Sequence, residues 1–204
     1  MRLLAIDPSI TCTGWALFSI KSENLIGVGK IKPLPPKHTL AERLSELNQQ
    51  INQLFDQIKL SEKDVMICEA ATSIKDPSAA FKVEQVRAAF ETLARERQTA
   101  VPGRIHPRTV HYEVLGLTGK QLPRQEVKAM ACNAAKTIYA KELKNLTFDC
   151  SDINLKKNQD IIDALLIGYI SLSKIRAAKS IDMKLDAYFD NMSKHKKNSR
   201  RSLP

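Results

Sequence analysis

Three apolar runs joined by short connections fill the first 32 residues, and nothing else in the chain limits its fold so strongly. Residues 2–7, 13–20 and 24–32 each have the length and composition of a strand. Strands this close in sequence pair antiparallel, because a parallel partner needs a long crossover. The first two runs lie in "LLAIDPSITCTGWALF", residues 3–18, where an acid, Asp7, directly follows four apolar residues. A carboxylate beside a core strand is unfavourable unless something pairs with it. Asp7 is therefore either a turn opener before Pro8 or a group kept there to hold something.

The prolines of "KPLPPKH" end the meander. Leu40, Leu44, Leu47, Ile51, Leu54 and Ile58 then recur at alternating spacings of four and three, the mark of an amphipathic helix. Residues 64–68, "DVMIC", read as a fourth strand ending at Glu69. A helix follows over about 78–97, with Ala79, Val83, Val86, Phe90 and Leu93 on one face and Phe81 and Ala88 pointing elsewhere. Two apolar aspects mean a helix buried in the core or one that also meets a second subunit. Residues 99–105 suggest a fifth strand blunted by Pro102, followed by helices near 107–115 and 124–142, a polar linker over 143–157 and an apolar helix over 158–178. A meander followed by alternating strands and helices implies an α/β fold, with a five-stranded mixed sheet flanked by helices. The expected organisation is one domain, residues 1–181, and a basic disordered tail, residues 182–204.

Lys and Arg number 32 against 22 Asp and Glu, a net charge of +10. That excess favours a polyanionic partner, nucleic acid ahead of an anionic membrane surface. Half of it sits in Lys194, Lys196, Lys197, Arg200 and Arg201. These either add salt-sensitive DNA affinity or simply solubilise the end of the chain. The basic segment lacks the aromatic and amphipathic pattern of a membrane anchor. No apolar stretch is long enough to span a bilayer, and Leu3–Ile6 is too short for a signal peptide. Cys12, Cys68, Cys132 and Cys150 form no C-x-x-C pair, which argues against a zinc site or a disulfide framework. The expected compartment is reducing and cytoplasmic.

Four carboxylates stand out by position. Asp7 and Glu69 end the first and fourth strands, and Asp160 and Asp163 open the last helix on one face. Each has an ordinary account as a turn opener, a strand end or a first-turn helix acid. Together they have another. Functional groups in such sheets gather beyond the strand ends, and four converging acids repel one another unless a cation lies between them. Oxygen donors suit Mg²⁺, with Mn²⁺ as substitute. A pair of such ions stabilises both the attacking and the leaving oxygen of phosphodiester hydrolysis.

On "LAIDPSITCTGWALF", "VMICEAA", "DPSAAFKVEQVRAAF" and "QDIIDALLIGY", in that order, the chain resembles the RuvC-type Holliday junction resolvases of the ribonuclease H-like superfamily. The resemblance spans about residues 2–175. It implies a homodimeric, metal-dependent endonuclease that nicks four-way DNA junctions symmetrically, with two ions per site held by Asp7, Glu69, Asp160 and Asp163. It further implies a dimer interface on the helix carrying Phe81 and Phe90, with Val83, Val86 and Phe90 at the interface, which would account for its second apolar aspect. The family's two lysines near the site correspond to Arg108 or His111 at the first position and to Lys120 or Arg124 at the second. After Glu69 the family often has an aromatic residue that acts at the junction centre, whereas this chain has Ala70, Ala71, Thr72, Ser73 and Ile74. That departure leaves open a less selective nuclease of the same fold, cutting branched DNA or RNA–DNA hybrids. An idle junction-binding relative is the other alternative, and the presence of all four acids argues against it. No motif identifies a partner helicase or distinguishes a bacterial from a viral or organellar host.

Overall fold

Leu3, Leu4, Ala5 and Ile6 are fully buried, because the strand they form is covered on both faces. A computed structural model describes residues 1–71, 76–117 and 122–199, with 193–199 as main chain. In it, strands β1 (Arg2–Asp7), β2 (Thr13–Ser19) and β3 (Leu25–Ile31) form the expected antiparallel meander. β4 (Val65–Glu69) and β5 (Arg104–Ile105) add to β1 in parallel, giving the sheet order β3-β2-β1-β4-β5. Strand alternation sorts the β1 side chains into two cores. Leu3 and Ala5 face α6 (Gln159–Ser180), whereas Leu4 and Ile6 face α1 (Leu40–Gln57) and α2 (Pro77–Glu96).

The local chemistry of α1 matches its expected start. Thr39 and Glu42 close a capping box, each side chain accepting from the other residue's main-chain N–H. Leu47, Ile51, Leu54 and Phe55 carry its buried face into the second core, where the Phe55 and Phe90 rings meet edge to face at 6.2 Å. Arg43 on the same helix is buried as well. Its Nη2 and Nε donate to the carbonyls of Ile10 and Leu34 at 2.6 and 2.7 Å, pinning the β1–β2 connection.

Four expectations need correction. The fifth strand is confined to Arg104–Ile105, with only a single bridge from Val65 to Ala100 upstream of it. Pro102 has no N–H to extend the ladder. The polar linker holds a helix, α5 (Asp152–Lys157), capped by Ser151 and anchored by buried Leu155. The tail is not wholly disordered, since α7 (Leu185–Ser199) forms there and Phe189 is 4% exposed. Gly103 makes room for it: a Cβ at that position would lie 2.7 Å from Phe189 Cδ1. The domain therefore extends past residue 181.

The fourth correction concerns the interface residues. Val86 and Phe90 are fully buried in this chain's own second core, whereas Val83 is half-buried and lies outside it. The apolar periodicity of α2 is met by α1 and β4, which leaves no Val86 or Phe90 surface for a partner. The large apolar side chain that α2 exposes is Phe81, at 62%. Phe90→Ala is accordingly expected to act on folding, lowering the unfolding free energy by about 3–5 kcal/mol. A lower urea midpoint at unchanged oligomeric state is the measurement that checks it.

Candidate functional site

The site follows from register. Ile6 pairs with Cys68 in the parallel β1–β4 ladder, so the next residues, Asp7 and Glu69, stand side by side where the two strands end. Across the antiparallel ladder Asp7 faces Gly14. Gly14 lies against the start of α6: a Cβ there would sit 1.9 Å from the Asp160 carbonyl oxygen. The missing side chain lets the first turn of α6 rest on the sheet beside Asp7, bringing Asp160 and Asp163 to the same end. Alanine in place of glycine ordinarily helps a strand. Gly14→Ala should instead destabilise by about 1–3 kcal/mol, because the helix must lift off. A fall in the urea midpoint checks this.

The four carboxylates lie within one another's fields. Burial, then Glu69, Asp163 and Asp160 in turn, push the Asp7 carboxyl well above its ordinary range, with Arg87 opposing. Burial and Asp163 push Glu69 up to about 7, again against Arg87. Burial raises Asp163 to about 6, and Asp160 adds to this. A hydrogen bond from Gln159 and the charges of Lys128 and Arg124 oppose the rise. That hydrogen bond runs from Gln159 Nε2 to Asp163 Oδ1 at 3.1 Å. Cys12 adjoins the site, its thiol raised to about 11 by burial and by Asp160.

A cavity of about 210 Å³ opens beside Glu69 and Asp163. His111, Arg124, Lys128 and Gln159 line it, with Val110, Val127 and Leu166 among its apolar walls. Of the alternatives at the two basic positions, His111 and Arg124 reach this cavity. Arg108 is exposed on α3 (Pro107–Glu113) and does not line it. Burial lowers the His111 pKa, so its imidazole is neutral at pH 7 and acts there as a hydrogen-bond donor or acceptor. Lys120, Arg200 and Arg201, and the segment Thr72–Ile74 after Glu69, lie outside the described residues, as do the side chains of Lys194, Lys196 and Lys197.

Lys128, Gln159 and Arg87 were not singled out from the sequence. Lys128 carried a usable signal: it is one helical turn from Arg124 in α4 (Arg124–Asn145) and so shares its face.

The donor set fits a hard divalent cation by its chemistry. It is all carboxylate, recessed at the sheet end, with overlapping negative fields. Among the described residues no three His, Cys, Asp or Glu side chains are already drawn into a ligand cage. Ligation therefore requires the carboxylates to turn toward the ion.

No protein-family model and no curated protein matches the sequence. Solved structures do. The Thermus thermophilus RuvC structure superposes with a TM-score of 0.61 at 17% identity, covering 88% of this chain and 96% of that one. T. thermophilus RuvC in complex with a Holliday junction substrate gives 0.59 at the same identity and coverage. The fowlpox virus Holliday junction resolvase gives 0.51 at 14% identity, covering 86% of this chain and 99% of that one. The chain thus has the ribonuclease H-like fold of these RuvC and viral structures, with its carboxylates at the end of the two parallel strands.

Proposed function

We propose that this protein is a metal-dependent endonuclease that acts on branched DNA and resolves four-way junctions by paired symmetrical nicks. The observation that carries the reading is the gathering of Asp7, Glu69, Asp160 and Asp163 at one sheet end beside a cation-lined cavity. The fold shared with two RuvC structures, one of them in complex with a Holliday junction substrate, and with a viral junction resolvase supports it. So does the net charge of +10, which suits a polyanion.

Asp7, Glu69, Asp160 and Asp163 would hold Mg²⁺, or Mn²⁺ in its place, at up to two positions. When bound, these ions supply Lewis-acid stabilisation to the attacking and leaving oxygens of a phosphodiester. The chain's own residues do the rest. Arg124 and Lys128 draw the scissile phosphate into the cavity and counter the charge that develops on it. Neutral His111 fixes its orientation by hydrogen bonding. Gln159 hydrogen-bonds one Asp163 oxygen, leaving the other to turn toward an ion. Symmetrical nicks require two sites related by a two-fold axis, hence a homodimer.

The test is incubation of the purified protein with a labelled immobile four-way junction and Mg²⁺, beside linear duplex, flaps and RNA–DNA hybrids. Paired nicks in the junction alone are the expected result. Equal cutting of flaps or hybrids replaces the reading with a general nuclease. Tight junction binding with no cutting in Mg²⁺ or Mn²⁺ replaces it with a binding module.

A further inference from the structure

Behind the carboxylates lies a buried arginine that no step above uses. Arg87 is 1% exposed, among the largest fully buried side chains of the molecule. It projects from α2 beneath the end of β4, on a helix whose inner face is otherwise apolar. Its Nε donates to the main-chain carbonyl of Glu69 at 2.6 Å, and its Nη1 bonds Glu84. Glu84 also accepts from Arg104 Nη1 at 2.9 Å, and Arg104 chelates Glu91 through Nε and Nη2 at 2.7 and 2.8 Å. The outer members of this chain are partly exposed, whereas its inner end is sealed against the main chain of Glu69.

We propose that Arg87 is a positioning residue for divalent-cation binding: its guanidinium fixes the end of β4 so that the Glu69 carboxylate points into the cleft. The inference rests on the metal reading above and deepens it. β4 ends at Glu69, and among the described residues Arg104 and Ile105 of β5 brace that end from outside. The guanidinium supplies the missing restraint. A buried ion normally disfavours a core unless its partners are complete, and here they are chosen with a consequence for charge. Glu84 and Glu91 pair with Arg87 and Arg104, so the four-residue network is formally neutral. It also occupies no carboxylate oxygen of Glu69, because its contact is with the carbonyl. Those oxygens stay free for a ligand. A lysine would replace the rigid planar fork by a single point charge and hold the two partners less firmly.

The test is calorimetric titration of Mg²⁺ into the full-length protein without DNA, in wild type, Arg87→Met, Arg87→Lys and Glu84→Gln. Loss of one charge-assisted hydrogen bond that orients a ligand should weaken Mg²⁺ binding about tenfold in Arg87→Met. Arg87→Lys should fall between it and wild type. Junction affinity in EDTA should stay within about threefold of wild type in each, because Arg87 is buried and offers no surface to a phosphate. A merely structural arginine would lower the melting temperature and leave Mg²⁺ affinity unchanged, and that result in folded Arg87→Met overturns the proposal. If Arg87→Met does not fold, Glu84→Gln decides. Glu84 is 43% exposed, so its loss is tolerable, and it leaves Arg87 less tethered and less neutralised. Both changes weaken cation binding, and an unaltered Mg²⁺ affinity in Glu84→Gln overturns the proposal. A wild type that binds neither Mg²⁺ nor Mn²⁺ removes the metal reading itself, a failure distinct from variants that bind as well as wild type.

Discussion

Asp7→Asn is expected to abolish junction cleavage, by about a thousandfold or more, while junction binding in EDTA stays within about threefold of wild type. The substitution keeps the shape of the side chain and removes its charge. Asp7 is buried and feels the charges of Glu69, Asp163 and Asp160 together. Its neutralisation therefore takes from the site the ligand that the others share. DNA affinity should if anything rise slightly, because an acid facing a phosphate has gone. Single-turnover cleavage beside a gel-shift titration separates the two quantities. Loss of binding and cleavage together, with a lowered melting temperature, would make Asp7 a structural residue, and the proposed mechanism would fall.

The second large effect is on stability against pH in the metal-free protein. Glu69 rises from 4.5 to about 7 on folding and Asp163 from 3.8 to about 6, both chiefly through burial. A carboxyl raised in this way holds its proton more tightly folded than unfolded. The stability it contributes is present below the unfolded value, and it is lost as pH climbs through the folded one. Between about pH 4 and pH 7 the metal-free protein should therefore weaken, by on the order of 3 kcal/mol for these interacting groups. Melting in EDTA should fall by roughly 10 °C from pH 5 to pH 8. Mg²⁺ should restore most of the loss at pH 8 and little at pH 5, where protons compete for the same oxygens. A flat profile in EDTA, or equal stabilisation by Mg²⁺ at both pH values, would contradict the burial and coupling of the acids.

Most of this arrangement was legible in the sequence where one short-range signal decided it. The meander and β4 are apolar runs bounded by turn residues, and α1 keeps a strict heptad-like spacing. The carboxylates could be picked out because each follows or opens such an element. What escaped notice depended on partners distant in sequence. α5 is too short to show a period and relies on Leu155 alone. α7 reads as a basic tail until Phe189 is matched with Gly103. The apolar face of α2 was visible, but periodicity does not say what covers it. Val86 and Phe90 went to this chain's own α1 and β4. Arg87 resembled any surface arginine, because the carbonyl that needs it ends a strand 18 residues earlier.

The seating of α6 on Gly14 has a consequence for how the protein comes into being. Asp7 is synthesised before β2 to β5, whereas Asp163 in α6 follows all five strands. The meander pairs locally and can form early, whereas the turn that delivers Asp160 and Asp163 must wait for a long-range closure onto it. No nascent fragment short of α6 contains all four acids, so a growing chain lacks the complete carboxylate set until α6 has been made. By the time the repelling carboxylates meet, the hydrophobic body of α6 is there to hold them together.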